Sequence, residues 1–109
     1  MSDNSVPEVD VAEAARLQQQ GVVVLDVREP DEFAEVHALG ARLLPLSELT
    51  ERVGEVPLDQ PLLIICRSGA RSARAAEWLN DRGAQATNVD GGTLAWVEAG
   101  LPTAKGSSS

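Results

Sequence analysis

The sequence predicts an α/β sandwich built on a mainly parallel sheet. Two apolar runs, one at the start of residues 22–28 and one at residues 61–66, are typical of buried strands because they lack the alternation of a half-exposed strand. Each run is followed by a segment with helix-start signals, and strands that alternate with helices indicate a parallel α/β arrangement. The 109 residues are enough for one domain and too few for two.

The N-terminal half is predicted to hold a helix on each side of the first strand. Asp10 is followed three residues later by Glu13, which is a capping-box pattern, and Gly21 suits the end of the helix between them. Beyond the strand at 22–28, Pro30 fits the first position of a second, short helix.

The rest of the chain is predicted to alternate in the same way. We expect strands at 41–44, 61–66 and 86–89, a brief helix capped by Ser47 and running to Val53, a helix after the loop at 66–72, and a last helix at 93–99. Asp90-Gly91-Gly92 indicates a sharp turn with positive φ before that last helix. The predicted domain covers residues 8–102, with flexible tails at 1–7 and 103–109.

Composition and charge exclude several classes of partner and site. The net charge of −8 is unfavourable for binding nucleic acid or an anionic membrane surface, since both need a basic patch. One cysteine and one histidine are too few for an internal disulfide or for a zinc site of the usual ligand count, and we predict no metal. No apolar stretch is long enough to span a bilayer and none resembles a signal peptide, which predicts a cytoplasmic protein.

The single cysteine lies in a loop suited to a nucleophile. Cys66 follows an apolar run, and the segment at 73–79 is rich in good helix formers. A strand that turns directly into a helix points several backbone N–H groups, and the positive end of the helix dipole, at one spot. In such surroundings the pKa of a thiol falls from about 8.5 to roughly 3.5–7.5.

We therefore predict that Cys66 is held as a thiolate, open to solvent, at the sheet edge where α/β proteins bind ligands. Asp26 and Arg28 reach the same edge from the other predicted strand, and we interpret them as a structural ion pair.

Three motifs in matching order resemble the single-domain rhodaneses. They are segments 25–33, 66–72 and 88–102, and the resemblance extends over nearly all of residues 9–102. One difference is visible, since the family's usual Gly-His-Ile-Pro-Gly-Ala is replaced here by Val36-His37-Ala38-Leu39-Gly40-Ala41. The resemblance implies a rhodanese-like three-layer sandwich, in which a mainly parallel central sheet has helices on both faces.

The resemblance also implies a thiosulfate sulfurtransferase that needs no cofactor. Cys66 would attack the outer sulfur of a small sulfur-donor anion such as thiosulfate, and sulfite would depart and leave a persulfide. Cyanide, a thiol or a sulfur-acceptor protein would then take the sulfur. The implied catalytic residue is Cys66, and the substrate-binding residues are Arg67, Ser68, Gly69, Ala70, Arg71 and Ser72. Their N–H groups and the Arg67 and Arg71 guanidinium groups would hold the anion.

Two other functions stay open on the sequence alone. A phosphatase or arsenate reductase of the related cysteine-loop type has five residues between its cysteine and its arginine. Four residues separate Cys66 from Arg71 here, and Ser72 stands where that arginine would fall. The other alternative is a non-catalytic binding module on the same fold, which fold alone does not distinguish from an enzyme.

Overall fold

A computed structural model describes residues 6–107 of the chain. The strands are β1 (Glu8–Val9), β2 (Val23–Asp26), β3 (His37–Ala38), β4 (Arg42–Leu43), β5 (Pro61–Ile65), β6 (Gln85–Val89) and β7 (Thr103–Ala104). The α-helices are α1 (Val11–Gln19), α2 (Pro30–Glu35), α3 (Ala70–Asn80) and α4 (Gly92–Glu98). Two short 3₁₀ helices span Leu46–Glu48 and Val53–Glu55.

The main sheet has five strands in the order β1-β6-β5-β2-β4, and every neighbouring pair is parallel. The prediction of a mainly parallel sheet is therefore confirmed. Because the strands share one direction, their carboxyl ends meet at one edge of the sheet. Cys66 follows β5 at this edge, Val27 follows β2, and Asp90 follows β6.

Side chains of the central strands alternate between two apolar clusters, one on each face of the sheet. Leu62 and Ile64 of β5 belong to the cluster that α3 covers. Leu63 and Ile65 belong to the cluster on the opposite face, which α1, α2 and α4 cover with residues that include Trp96. Helices on both faces of the sheet make the three-layer sandwich that the sequence predicts.

The helix-start signals act as the sequence predicts. The Asp10 carboxylate accepts a hydrogen bond of 2.9 Å from the Glu13 backbone N–H at the start of α1, and Gly21 adopts a φ of +101° just beyond its end. At α2, Pro30 takes the first helical position and Glu29 forms a capping box with Glu32. These local contacts fix the ends of the two helices that flank β2.

The predicted helix from Ser47 to Val53 is wrong, because the two 3₁₀ helices take its place. Ser47 does not cap a helix, since its hydroxyl donates to the Glu29 carboxylate. Buried Leu49 and Val56 anchor this segment to the sheet, and short 3₁₀ turns between the two anchors replace a continuous helix.

Residues near both ends of the predicted domain contact the fold. Thr103–Ala104, which the sequence places in the C-terminal tail, form β7 and pair antiparallel with β3. Val6 packs against the α3-side cluster, and the Pro7 carbonyl accepts from the Asn88 N–H. The predicted tail residues 1–5 and 108–109 lie outside the described residues.

Within residues 6–107, no helix combines the length and the apolar character needed to cross a bilayer. The cytoplasmic location stays a prediction from the sequence.

Candidate active site around Cys66

The cysteine loop is a short connection between β5 and α3. Cys66 directly follows the strand, and Gly69 is the N-cap of the helix, with a left-handed φ of +113° that favours glycine. Because α3 begins at Ala70, Arg71 and Ser72 lie in its first turn. The loop is therefore shorter than the sequence suggests, and the predicted substrate-binding residues are divided between the loop and the helix.

Cys66 is 1% exposed, so the prediction of a sulfur open to solvent is wrong. Its side chain packs at the top of the α3-side cluster, with aliphatic neighbours on the sheet side. On the other side, Sγ accepts a hydrogen bond of 3.1 Å from the Gly69 backbone N–H, and the Ser72 Oγ lies 3.2 Å away. Of the predicted N–H donors, the Gly69 N–H thus lies within hydrogen-bond distance of a buried sulfur.

The pKa of the Cys66 thiol lies below its ordinary value. Burial is the largest single influence and raises this pKa, because a thiolate loses hydration. Hydrogen bonding from the Ser72 hydroxyl, and from the backbone N–H groups of Ser72, Gly69 and Ser68, lowers it by more in total. The loop and the first turn of α3 together favour the thiolate at a site whose burial alone would favour the thiol.

Arg71 is paired with Glu32, a contact that the sequence analysis did not anticipate. Its two terminal nitrogens donate to the two carboxylate oxygens at 2.9 and 2.8 Å. The hydrogen bonds from Arg71 hold the pKa of Glu32 at about 2, although partial burial opposes them. Arg71 also lies near enough to Cys66 and Asp26 for their charges to raise its own pKa, after the larger effect of Glu32.

Asp26 and Arg28 form the ion pair that the sequence predicts. The Arg28 Nη2 donates to Asp26 Oδ2 at 2.8 Å and to the Val36 carbonyl at 2.8 Å, and both charged side chains are buried. Arg28 therefore ties the end of β2 to the end of α2.

The start of α4 packs directly against the cysteine loop. The Thr93 backbone N–H and hydroxyl both donate to the Cys66 carbonyl, at 2.8 and 3.0 Å. The Leu94 N–H donates to the Arg67 carbonyl at 3.1 Å. Gly92 comes so close that a Cβ there would lie 2.6 Å from the carbonyl oxygens of Cys66 and Arg67. The sequence predicts the turn at residues 90–92 but not the contact between the start of α4 and the loop.

The remaining loop residues face outward. Arg67, Ser68 and Ala70 are exposed, whereas Gly69 and Ser72 are buried. Arg67 lines a groove of about 320 Å³ beside the loop, together with Thr93, Leu94 and Val97. The structure thus brings the predicted site residues together at the β5–α3 connection, with Arg67 at the edge of this groove.

A buried amide joins the site from β6. The Ser72 Oγ lies 2.5 Å from Asn88 Oδ1, and Asn88 Nδ2 donates to Glu8 Oε2 at 2.8 Å and to the Gly69 carbonyl at 3.2 Å. The sequence analysis missed Asn88 and Glu8 as site residues. The only feature of the sequence that could have indicated this contact is the presence of a polar residue, Asn88, inside a predicted strand.

Comparison with known proteins places these features in a family. A sequence model of the rhodanese-like domain matches residues 10–99 of this chain. The uncharacterized protein YqhL of Bacillus subtilis is 43% identical over 74 residues, which cover 67% of this chain and 59% of YqhL. The thiosulfate sulfurtransferase GlpE of Vibrio cholerae is 35% identical over 96 residues, which cover 87% of this chain and 90% of GlpE.

A solved structure of a rhodanese-related protein has the same fold as this chain. The rhodanese-related protein of Thermoplasma volcanium superimposes with a TM-score of 0.84 at 33% identity, covering 90% of this chain and 97% of that chain. The chain thus spans nearly all of this structure and of GlpE, but less than two thirds of YqhL.

Proposed function

This chain belongs to the rhodanese-like domain family, and from that premise we propose that it is a sulfurtransferase in which Cys66 carries the transferred sulfur. The observation that carries the proposal is the position of Cys66 Sγ at the start of α3. There it accepts a hydrogen bond from the Gly69 N–H and has a lowered pKa. A thiolate held by N–H donors is the nucleophile that sulfur transfer requires.

The proposed reaction has two steps. The Cys66 thiolate attacks the outer sulfur of thiosulfate, the sulfur–sulfur bond of thiosulfate breaks, and sulfite departs with the bonding electron pair. A cyanide ion or a thiolate then attacks the outer sulfur of the Cys66 persulfide, and Cys66 leaves again as a thiolate. Sulfite needs no proton when it departs, so the lack of a histidine or carboxylate within the loop is no obstacle.

The N–H groups of the loop are proposed to stabilise the sulfur anions in both steps. Those of Ser68, Gly69 and Ser72 already act on Cys66 Sγ, and we propose that those of Arg67, Ala70 and Arg71 face the incoming donor. Since Sγ is buried, the loop has to open for the donor to reach it. The accumulation of thiocyanate and sulfite from thiosulfate and cyanide tests the proposal, and a folded protein that produces neither would oppose it.

Arg71 is the proposed cation for the donor anion, and its pairing with Glu32 limits this role. We expect Arg71→Ala to raise the KM for thiosulfate about tenfold, because one charge-assisted contact of roughly 1.5–3 kcal/mol is lost. The free energy of unfolding should change by less than about 1 kcal/mol, since the ion pair is partly exposed. Steady-state kinetics and urea unfolding measure the two effects.

Glu32→Gln is the matched control, because it removes the competing charge and leaves Arg71 in place. We expect it to lower the KM for thiosulfate about threefold, in the opposite direction to Arg71→Ala. An unchanged KM in both variants would show that Arg71 does not bind the donor anion and only links α3 to α2 through Glu32.

A further inference from the structure

The Ser72 hydroxyl lies between two acceptors and has one proton to donate. Its Oγ is 3.2 Å from Cys66 Sγ and 2.5 Å from Asn88 Oδ1. All three residues are at least 99% buried. Because a hydroxyl group carries a single O–H donor, the sulfur and the amide oxygen compete for it.

The other contacts of Asn88 fix the orientation of its amide. Nδ2 faces the Glu8 carboxylate and the Gly69 carbonyl, at 2.8 and 3.2 Å. An amide turned the other way would set Oδ1 against both of these acceptor oxygens, so Oδ1 faces Ser72. Two oxygens 2.5 Å apart need a proton between them, and an amide oxygen has none to give. The Ser72 hydroxyl therefore donates to Asn88.

We propose that Asn88 sets the protonation state of Cys66 through the Ser72 hydroxyl, as a positioning residue that does not touch the sulfur. While the hydroxyl proton points at Asn88, Ser72 presents a lone pair to Sγ, which suits a thiol S–H and opposes a thiolate. Ser72 donates to the thiolate only after its proton rotates away from Asn88. The stabilisation of the thiolate by the Ser72 hydroxyl therefore depends on that rotation.

This inference rests on the proposed function, in which the Cys66 thiolate is the nucleophile. The titration that tests it needs no sulfur donor. The substitutions at positions 72 and 88 replace one uncharged residue by another, so they leave the charged groups around Cys66 unchanged. The ionisable side chains that face the loop from the elements packed against it are Glu8, Asp26, Arg28, Glu32, Arg71 and Asp90.

The experiment is a titration of the Cys66 thiolate in Asn88→Leu, since leucine is close to asparagine in size and has no acceptor. The sequence has one cysteine and no tyrosine, so the ultraviolet absorbance of the thiolate, after subtraction of Cys66→Ser, reports this group alone. We expect the pKa of Cys66 to fall by about one unit, which is about tenfold more thiolate at a pH below the pKa. With Ser72→Ala present, Asn88→Leu should shift that pKa by less than about 0.3 unit.

If Asn88→Leu does not fold, Ser72→Ala alone tests the proposal. We expect this variant to fold, because the substitution removes only one oxygen atom. The pKa of Cys66 should then stay within about 0.3 unit of the wild-type value, because the Ser72 hydroxyl can donate to the thiolate only by giving up its hydrogen bond to Asn88, and the two effects offset each other. A rise of a full unit in Ser72→Ala would overturn the proposal. So would an unchanged pKa in Asn88→Leu, or an equal shift with and without the Ser72 hydroxyl. A protein that titrates as expected but transfers no sulfur would contradict only the proposed function.

Discussion

Cys66→Ser should reduce thiosulfate-to-cyanide sulfur transfer by at least about 10³-fold while the protein stays folded. The substitution changes one atom, and a serine hydroxyl can still accept from the Gly69 N–H that now reaches Sγ. It removes the thiolate, however, and a serine hydroxyl at this position has neither the acidity nor the nucleophilicity to take a sulfur atom. Thiocyanate formation measures the loss.

Folding of the variant is the control for this prediction. The free energy of unfolding should stay within about 1.5 kcal/mol of the wild-type value, because the buried polar contacts of position 66 are kept. Turnover by folded Cys66→Ser at a rate near the wild-type rate would refute the mechanism, since the chain holds no second cysteine to replace it.

Gly92→Ala should destabilise the protein by roughly 2–5 kcal/mol. Two effects combine at this position. The backbone has a left-handed φ of +58°, and a Cβ would lie 2.6 Å from the carbonyl oxygens of Cys66 and Arg67. Because these oxygens belong to the backbone of the cysteine loop, either that loop or the start of α4 has to move. Urea unfolding followed by tryptophan fluorescence, to which Trp96 buried in the same helix contributes, measures the cost.

Gly100→Ala is the matched control for the backbone effect. Gly100 also has a left-handed φ, of +74°, but a Cβ there would meet nothing within 4 Å. It should cost only roughly 1–2 kcal/mol, and the change in the unfolded chain is the same for both substitutions. Equal destabilisation by the two variants would show that the start of α4 does not press on the cysteine loop.

Local sequence patterns were sufficient for most of the fold. The apolar runs of β2 and β5 are long enough to be recognised, and Asp10, Pro30 and the Asp90-Gly91-Gly92 turn mark helix boundaries by chemistry that acts within a few residues. Strands β3 and β7 have two residues each, so neither carries a recognisable alternation. Their pairing depends on contacts between residues distant in sequence.

The sequence was sufficient to predict Cys66 as the central residue of the candidate site, but not the burial of Cys66 or the side-chain contacts around it. Cys66 stands out because one thiol follows a buried strand and precedes a helix. Its buried position was not predictable, since the exposure of a loop residue depends on how closely the next turn packs against it. Arg71 and Glu32 are 39 positions apart, and Asn88 and Glu8 are 80 apart, so no local spacing indicates either contact.

The most direct test is the intact mass of the full chain after excess thiosulfate and removal of small molecules. We predict that the wild-type protein gains one sulfur atom, that cyanide or a thiol removes it, and that Cys66→Ser gains none. A folded wild-type protein whose mass does not change would contradict the proposal that Cys66 carries sulfur. Hydrolysis of an aryl phosphate by that same protein would then favour the phosphatase alternative.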